Sequence, residues 1–371
     1  MSWRVGWTLA LLGAGMLAAA PAGLRAQGAP TAPAYDAVVD AGYSGTEGAR
    51  VDGVAHFRSI GGAVAVAPTA ARVPYVVSIH NGRYREKLLV DRPGVHFVGE
   101  SREGTVLTWD ATADTKGPDG QPLGTRGSWT LKVVAPDFRL EHMTVENGFD
   151  YPANYARPAN DPTRIANAQA LAVALGVGSD RASFRDCLLS GYQDTLFPDA
   201  GRSYFQGCTI RGNVDFIFGA GRVVFEDCDI VSLDRGVPSN NGYVTAASTP
   251  TEERYGFLFL NSRLKKATPA MAPASVFLGR PWHPSATPGI ASAVVYIDCW
   301  MDDHIGGEGW TRMSSVDPSG TRIWYEPQDA RFLEYGSRGP GAVAGPGRRT
   351  LSQEQAREYT VERVLGGWQP K

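Results

Sequence analysis

An all-β protein wound as a parallel β-helix, with short helices capping its ends, is the fold that this sequence predicts. Three observations carry it. A short phrase recurs along the chain, first at intervals of 21 and 20 residues. Apolar and polar residues alternate inside each copy. The 44 glycines and 25 prolines are spread without a period, which marks many turns rather than a helical bundle or a collagen.

Residues 1–26 read as an export signal. Arg4 precedes an apolar stretch from Val5 to Ala20, and small residues offer cleavage after Ala26 or after Ala20. The run is short and no stop-transfer pattern follows. No later segment could span a bilayer, so the protein is expected to be secreted or periplasmic, with no membrane contact. Residues 27–371 are then expected to be a single domain, since no segment reads as a linker and 43% hydrophobic residues can fill one large core. Removing the signal with its two arginines takes the formal net charge from -2 to -4. With no run of Lys or Arg, that argues against a nucleic-acid partner.

The segment "HFRSIGGAVAVAP" (56–68) has helical spacing at Phe57, Ile60 and Val64, weakened by Gly61 and Gly62, and reads as an N-terminal cap. The coils follow. "SFRDCLLSG" (183–191), "YFQGCTIRG" (204–212), "VFEDCDIVS" (224–232) and "VYIDCWMDD" (295–303) hold all four cysteines, and "LFLNSRLKK" (258–266) puts Ser262 in the same place. In each, an aromatic residue lies three before the Cys or Ser, and an aliphatic residue or Met lies two after. "RLEHMTVEN" (139–147) fits with Leu140 and Met143. A coil of about 20 residues cannot bury its apolar face alone, so coils must stack, at about 4.8 Å between neighbouring strands. The Pro/Gly/Asn-rich segments 149–163, 234–254, 265–290 and 304–349 break the period and are expected to be loops walling a cleft. "LSQEQAREYTVERVL" (351–365) opens with Ser352 and Gln355 in capping-box spacing and is expected to be one short amphipathic helix closing the C-terminal end.

Rung spacing falls within the roughly 4.4–6.8 Å Cα separation that a disulfide needs. Either Cys187–Cys208 or Cys208–Cys228 could therefore close in an oxidising compartment, but not both. Cys299 is too many coils away to pair. No CxxC or His cluster points to a metal, and none is expected.

Asp215 stands inside the apolar run "RGNVDFIFG" (211–219), where a carboxylate is costly unless partnered or needed for chemistry. Asp194 in "GYQDTLF" (191–197) lies 21 residues earlier, one coil away, so equivalent placement brings the two carboxylates roughly 5 Å apart. Two carboxylates that close cannot both ionise easily; one stays protonated, as in an acid paired with a nucleophile. A solvent-facing Asp stack in surface turns is the bland alternative. In "LGRPW" (278–282), Pro281 keeps Arg280 and Trp282 extended and on one side, a cation beside an aromatic platform. Gln169 in "NAQALAVAL" and Gln193 are amides that could donate to a developing oxyanion, or simply satisfy the backbone.

Taken in order, "GRYREKL" (82–88), "QALAV", "GYQDTLF", "NVDFIFG" and "LGRPW" resemble the motif set of the pectin methylesterases, and "ENGFDYPANYARPANDPTRIANAQA" is more similar to bacterial than to plant members. The resemblance runs from about Phe57 to "YTVERVLGGW". It implies a right-handed parallel β-helix that hydrolyses methyl esters of polygalacturonate without a cofactor, acting as a monomer on pectin. It further implies Asp215 as nucleophile, Asp194 as general acid/base, Gln193 assisted by Gln169 at the oxyanion, Arg280 holding Asp215 ionised, and Trp282 lining the sugar subsites. A Cys208–Cys228 bridge and substrate contacts from Arg235, Phe218, Phe197 and Thr125 follow from the same resemblance. Phe197 stands where the family usually has Tyr, and Asn213 where Thr is common, which touches subsite preference rather than chemistry. The raw geometry also suits a retaining glycosidase or a non-catalytic polysaccharide binder. A calcium-dependent lyase fits less well, because no acidic cluster resembles a calcium site.

Overall fold

The computed structural model describes residues 35–70 and 73–370; the export signal read in residues 1–26 lies outside them. Among the described residues, strands stack into sheets of twelve, eight and seven, parallel throughout except for the edge strand Arg50–Val51, and these are the three sides of a β-helix. One coil shows the winding. Arg202–Gln206 lies in the first sheet, Thr209–Gly212 in the second and Val214–Gly219 in the third, and the chain returns to the first at Arg222–Glu226, with Ser203 paired to Val223.

The recurring phrase is the corner between the first two sheets. Its aromatic residues point into the lumen as a continuous ladder, Phe184–Phe205–Phe225–Phe259–Tyr296, with ring centres 4.5, 5.0, 4.5 and 4.5 Å apart. Beside it run Met143, Cys187, Cys208, Cys228, Ser262 and Cys299, all buried. The residue before each of these, namely His142, Asp186, Gly207, Asp227, Asn261 and Asp298, has positive φ, from 48° to 62°. Asp, Asn and Gly tolerate that left-handed conformation, which is why they occupy the corner.

The cysteines are free thiols, so the Cys208–Cys228 bridge implied by the resemblance is not formed in this structure. Each sulfur instead lies against a carbonyl of the preceding coil, Cys208 Sγ on Phe184 O at 3.5 Å and Cys228 Sγ on Phe205 O at 3.4 Å. Ser262 Oγ makes the same contact to Phe225 O at 3.3 Å. A small group with a weak donor is what that column holds.

At the N-terminal end the helix is Ile60–Ala65, capped by Ser59, with Ile60, Ala63 and Val64 buried; Phe57 ends the preceding strand instead of belonging to the helix. The C-terminal segment is two single-turn helices, Gln353–Ala356 and Val361–Val364, rather than one. The capping box at Ser352 and Gln355 forms, but Thr360 is extended and caps a fresh start. Nor do these turns plug the lumen. Ala356, Val364 and Leu365 pack on Tyr204, Val224, Leu258 and Val295, the outward residues that alternate with the lumen ladder on the first sheet.

The presumed loops carry more order than composition suggests. Tyr151–Tyr155 is a helix, Gly242–Ala247 and Val276–Gly279 are third-sheet strands, and 304–349 contains the hairpin Met313–Val316/Arg322–Tyr325 and the strand Arg331–Tyr335. These strands lack the aromatic-Cys phrase and are flanked by Gly, Pro and Asn. Pairing with strands far away in sequence decides them, except in the hairpin, whose two strands pair with each other.

Candidate active site

The cleft runs over the outer face of the third sheet. Leu196 pairs with Ile217, which sets Asp194 level with Asp215 and Phe197 level with Phe218. Asp194 N also donates to Val214 O at 3.0 Å. Phe218 pairs with Ala246, and the pairing of Thr245 with Gly279 sets Ala246 level with Arg280. The candidate residues thus lie on one outward face, the two aspartates in one row and Phe197, Phe218 and Arg280 in the next.

Simple alternation would not allow it. Asp215 and Phe218 are three apart and belong on opposite faces of a regular strand. The register shifts here: Val214 pairs with Tyr243 and Ile217 with Thr245, so Asp215 and Phe216 together oppose Val244. This bulge turns both Phe216 and Ile217 into the core and leaves Asp215 and Phe218 outside. Asp215 has φ 48°, and Asp194, at the matching place one coil earlier, has φ 64°. Strained, left-handed backbone at both positions is where a non-glycine residue needs a reason to be.

Arg280 supplies the partner for Asp215. Its Nε donates to one carboxylate oxygen at 2.8 Å and its Nη2 to the other at 2.6 Å, a bidentate pair. The guanidinium carbon sits 3.9 Å from the centre of the Tyr243 ring, which fixes its plane. Both side chains are largely buried, 21% and 9% exposed, so the pair is poorly screened by solvent. Asp194 has no such partner. Burial, reinforced by the negative charge of Asp215 and opposed by the more distant Arg280, pushes its carboxyl well above the usual range. The two aspartates therefore stand in different surroundings: one is clamped by arginine, and the other is buried and pushed towards its neutral form.

These groups line a cavity of about 600 Å³. Gln169, Gln193, Phe197, Phe218, Trp282 and Thr125 all border it with Asp194, Asp215 and Arg280. Phe197 stacks on Phe218 at 4.4 Å, and Trp282 meets both edge-on at 6.3 and 5.4 Å. The Gln169 amide oxygen is buried with no hydrogen-bond partner in the protein, so that side chain is unspent. Arg235 is the exception. Its Nε donates to Asn241 O at 2.7 Å and Nη2 to Asn240 O, which ties the guanidinium to its own loop and keeps it off the cavity wall.

The sequence did not point to Arg126, Met313, Ser285 or Tyr243. Arg126 adjoins Thr125 and could have been read with it. Met313 comes from the hairpin in 304–349, and Tyr243 from a strand whose composition reads as loop, so neither carries a signal.

Residues 49–368 match the family model described as Pectinesterase. Pectinesterase A of Dickeya dadantii (strain 3937) is 42% identical over 353 residues, 92% of this chain and 93% of that protein. The pectin methylesterase PemA from Erwinia chrysanthemi superposes with a TM-score of 0.85 at 41% identity, covering 92% of this chain and 99% of that one. A pectin methylesterase solved in complex with a hexasaccharide matches with the same TM-score, identity and coverage. With its parallel β-helix, its cleft on the third sheet and these matches along nearly its whole described length, the chain belongs to the pectinesterase family.

Proposed function

We propose that this carboxylic ester hydrolase removes methyl groups from the galacturonate esters of pectin, with Asp215 as nucleophile and Asp194 as general acid and then base. The bidentate clamp of Arg280 on Asp215, beside a protonated Asp194, carries the reading. An Asp215 oxygen attacks the ester carbonyl carbon, and the negative oxygen that develops accepts hydrogen bonds from the Gln193 and Gln169 amides. Collapse breaks the bond to the methoxyl oxygen, which takes the Asp194 proton and leaves as methanol. Asp194, now a carboxylate, removes a proton from water; the hydroxide attacks the acyl-enzyme carbonyl and frees both the galacturonate and Asp215. Phe197, Phe218 and Trp282 offer apolar faces for sugar rings, with Thr125 at the rim and Arg235 outside the wall.

The protein is read as a monomer, exported to the periplasm or the medium where its polymeric substrate lies, with no nucleic acid and no membrane as partner. The test is methanol release from pectin measured beside new reducing ends. Methanol alone supports the esterase; reducing ends without methanol support a glycosidase and would overturn the assignment. Asp215→Ala should abolish methanol release by several orders of magnitude while the circular dichroism of the fold persists.

A further inference from the structure

The lumen ladder ends on an exception. Phe184, Phe205, Phe225 and Phe259 are followed by Tyr296, a fully buried tyrosine whose hydroxyl is cut off from solvent. A phenol placed there needs a partner. It finds one across the lumen: Tyr296, on the first-sheet strand Ala293–Ile297, donates to Leu278 O at 3.2 Å, on the third-sheet strand Val276–Gly279. Thr245 Oγ1, equally buried, donates to the same oxygen at 2.8 Å, and a carbonyl has lone pairs for both. Burial pushes the Tyr296 phenol well above its ordinary range, so it remains a donor.

These hydroxyls lie behind the floor of the cleft. Thr245 pairs with Ile217 at one end of the bulge and with Gly279 on its other side, so one inward side chain stands between the strand of Asp215 and the strand that leads into Arg280. Arg280 N donates to Thr245 O at 3.0 Å. Gly279 makes the room: a Cβ there would lie 2.0 Å from Thr245 Oγ1. The glycine of "LGRPW" therefore admits a hydroxyl that a side chain would expel.

The clamp on Asp215 needs that support. Two parallel hydrogen bonds to one carboxylate tolerate little tilt or shift of the guanidinium, and the Tyr243 ring fixes only its plane. A buried carbonyl that loses a donor turns towards another, and the peptide between Leu278 and Gly279 turns with it.

We propose that Tyr296 and Thr245 are positioning residues, which through Leu278 O and Gly279 hold the backbone of Arg280 where its guanidinium meets Asp215 squarely. They act from inside the lumen, and neither borders the cavity. The kinetic consequences rest on the pectinesterase reading of the cleft.

The test is Tyr296→Phe, which removes one oxygen and gives this rung the residue that the rest of the ladder carries, so packing persists. On methyl-esterified pectin kcat should fall about tenfold, with KM within about twofold of wild type. Thr245→Val should act likewise, and Thr245→Ser, which keeps the hydroxyl, should recover most of the rate. Where the clamp is already impaired the effect should vanish: Tyr296→Phe added to Arg280→Lys should cost no further kcat, whereas independent effects multiply. A crystal structure of Tyr296→Phe needs no substrate, and in it one of the two hydrogen bonds between Arg280 and Asp215 should be lost. Methanol release by the wild type reports on the esterase reading separately. A wild-type rate in Tyr296→Phe, a loss that multiplies with Arg280→Lys, or an unchanged clamp in the crystal overturns the positioning role. Should Tyr296→Phe fail to fold, Thr245→Val against Thr245→Ser decides the same three outcomes.

Discussion

Arg280 and Asp215 meet through two parallel hydrogen bonds, at 2.8 and 2.6 Å, although 65 residues separate them in the chain. The pair fixes the orientation of the carboxylate proposed as nucleophile. Lysine keeps the charge but loses the fork and the stacking on Tyr243. Arg280→Lys should therefore lower kcat by about 10²-fold with a smaller change in KM. Arg280→Gln, which strands a buried carboxylate, should lower kcat further and lower the melting temperature. Steady-state kinetics and thermal melting check both.

Asp194 titrates against stability. Its folded-state pKa lies above its unfolded value, so between the two the folded protein holds a proton that the unfolded chain has released. The contribution to stability is complete below the usual aspartate pKa and is lost as pH rises through the raised value. Asp194→Asn removes this titration. It should abolish turnover and yet stabilise the fold at neutral pH by about 1–2 kcal/mol, flattening the pH dependence of the melting temperature. A variant no more stable than wild type at pH 7 would contradict a neutral Asp194.

Gly212 supports the bulge. A Cβ there would meet Phe216 Cβ at 2.3 Å and Tyr192 O at 2.6 Å, so Gly212→Ala must push Phe216 out of place. Phe216 shares the bulge with Asp215. The substitution should lower kcat by tenfold or more, because about 1 Å of misplacement at a reacting group costs on that order. Kinetics beside circular dichroism separate this from gross unfolding.

Trp282 touches Phe197 and Phe218 edge-on, and in the proposed function it contributes surface rather than chemistry. Trp282→Ala should raise KM about tenfold with little change in kcat, and Trp282→Phe should recover most of the affinity. Initial rates over a range of pectin oligosaccharide concentrations check it.

Phe225 sits mid-ladder between Phe205 and Phe259, fully buried. Phe225→Ala leaves a cavity at the centre of the lumen and should cost about 3–5 kcal/mol of stability. The folded fraction should keep its turnover. Denaturant unfolding with parallel activity measurement tests this.

How much of the site was legible depended on the kind of signal each residue carries. Asp194 and Asp215 could be found because a carboxylate in an apolar run is out of place and because their spacing equals one coil. Arg280 and Trp282 could be found because proline holds their backbone extended. Arg235 could not be placed, since its hydrogen bonds to Asn240 and Asn241 depend on how one loop closes. Met313 and Tyr243 belong to elements whose local composition reads as loop, and nothing in those segments alone marks them as strand.

By itself the sequence determined the coil. The aromatic at minus three, the small buried residue at the corner and the left-handed Asp, Asn or Gly before it are properties of about 20 consecutive residues, and each follows from local sterics and periodic burial. Tertiary structure decided what lies between coils: the bulge that turns Asp215 outward, the clamp of Arg280, the free state of the stacked thiols, and the docking of the C-terminal turns on a side face rather than an end. Those depend on register between strands tens of residues apart. A one-residue slip would exchange inside for outside at every position, and only the packed neighbours forbid it.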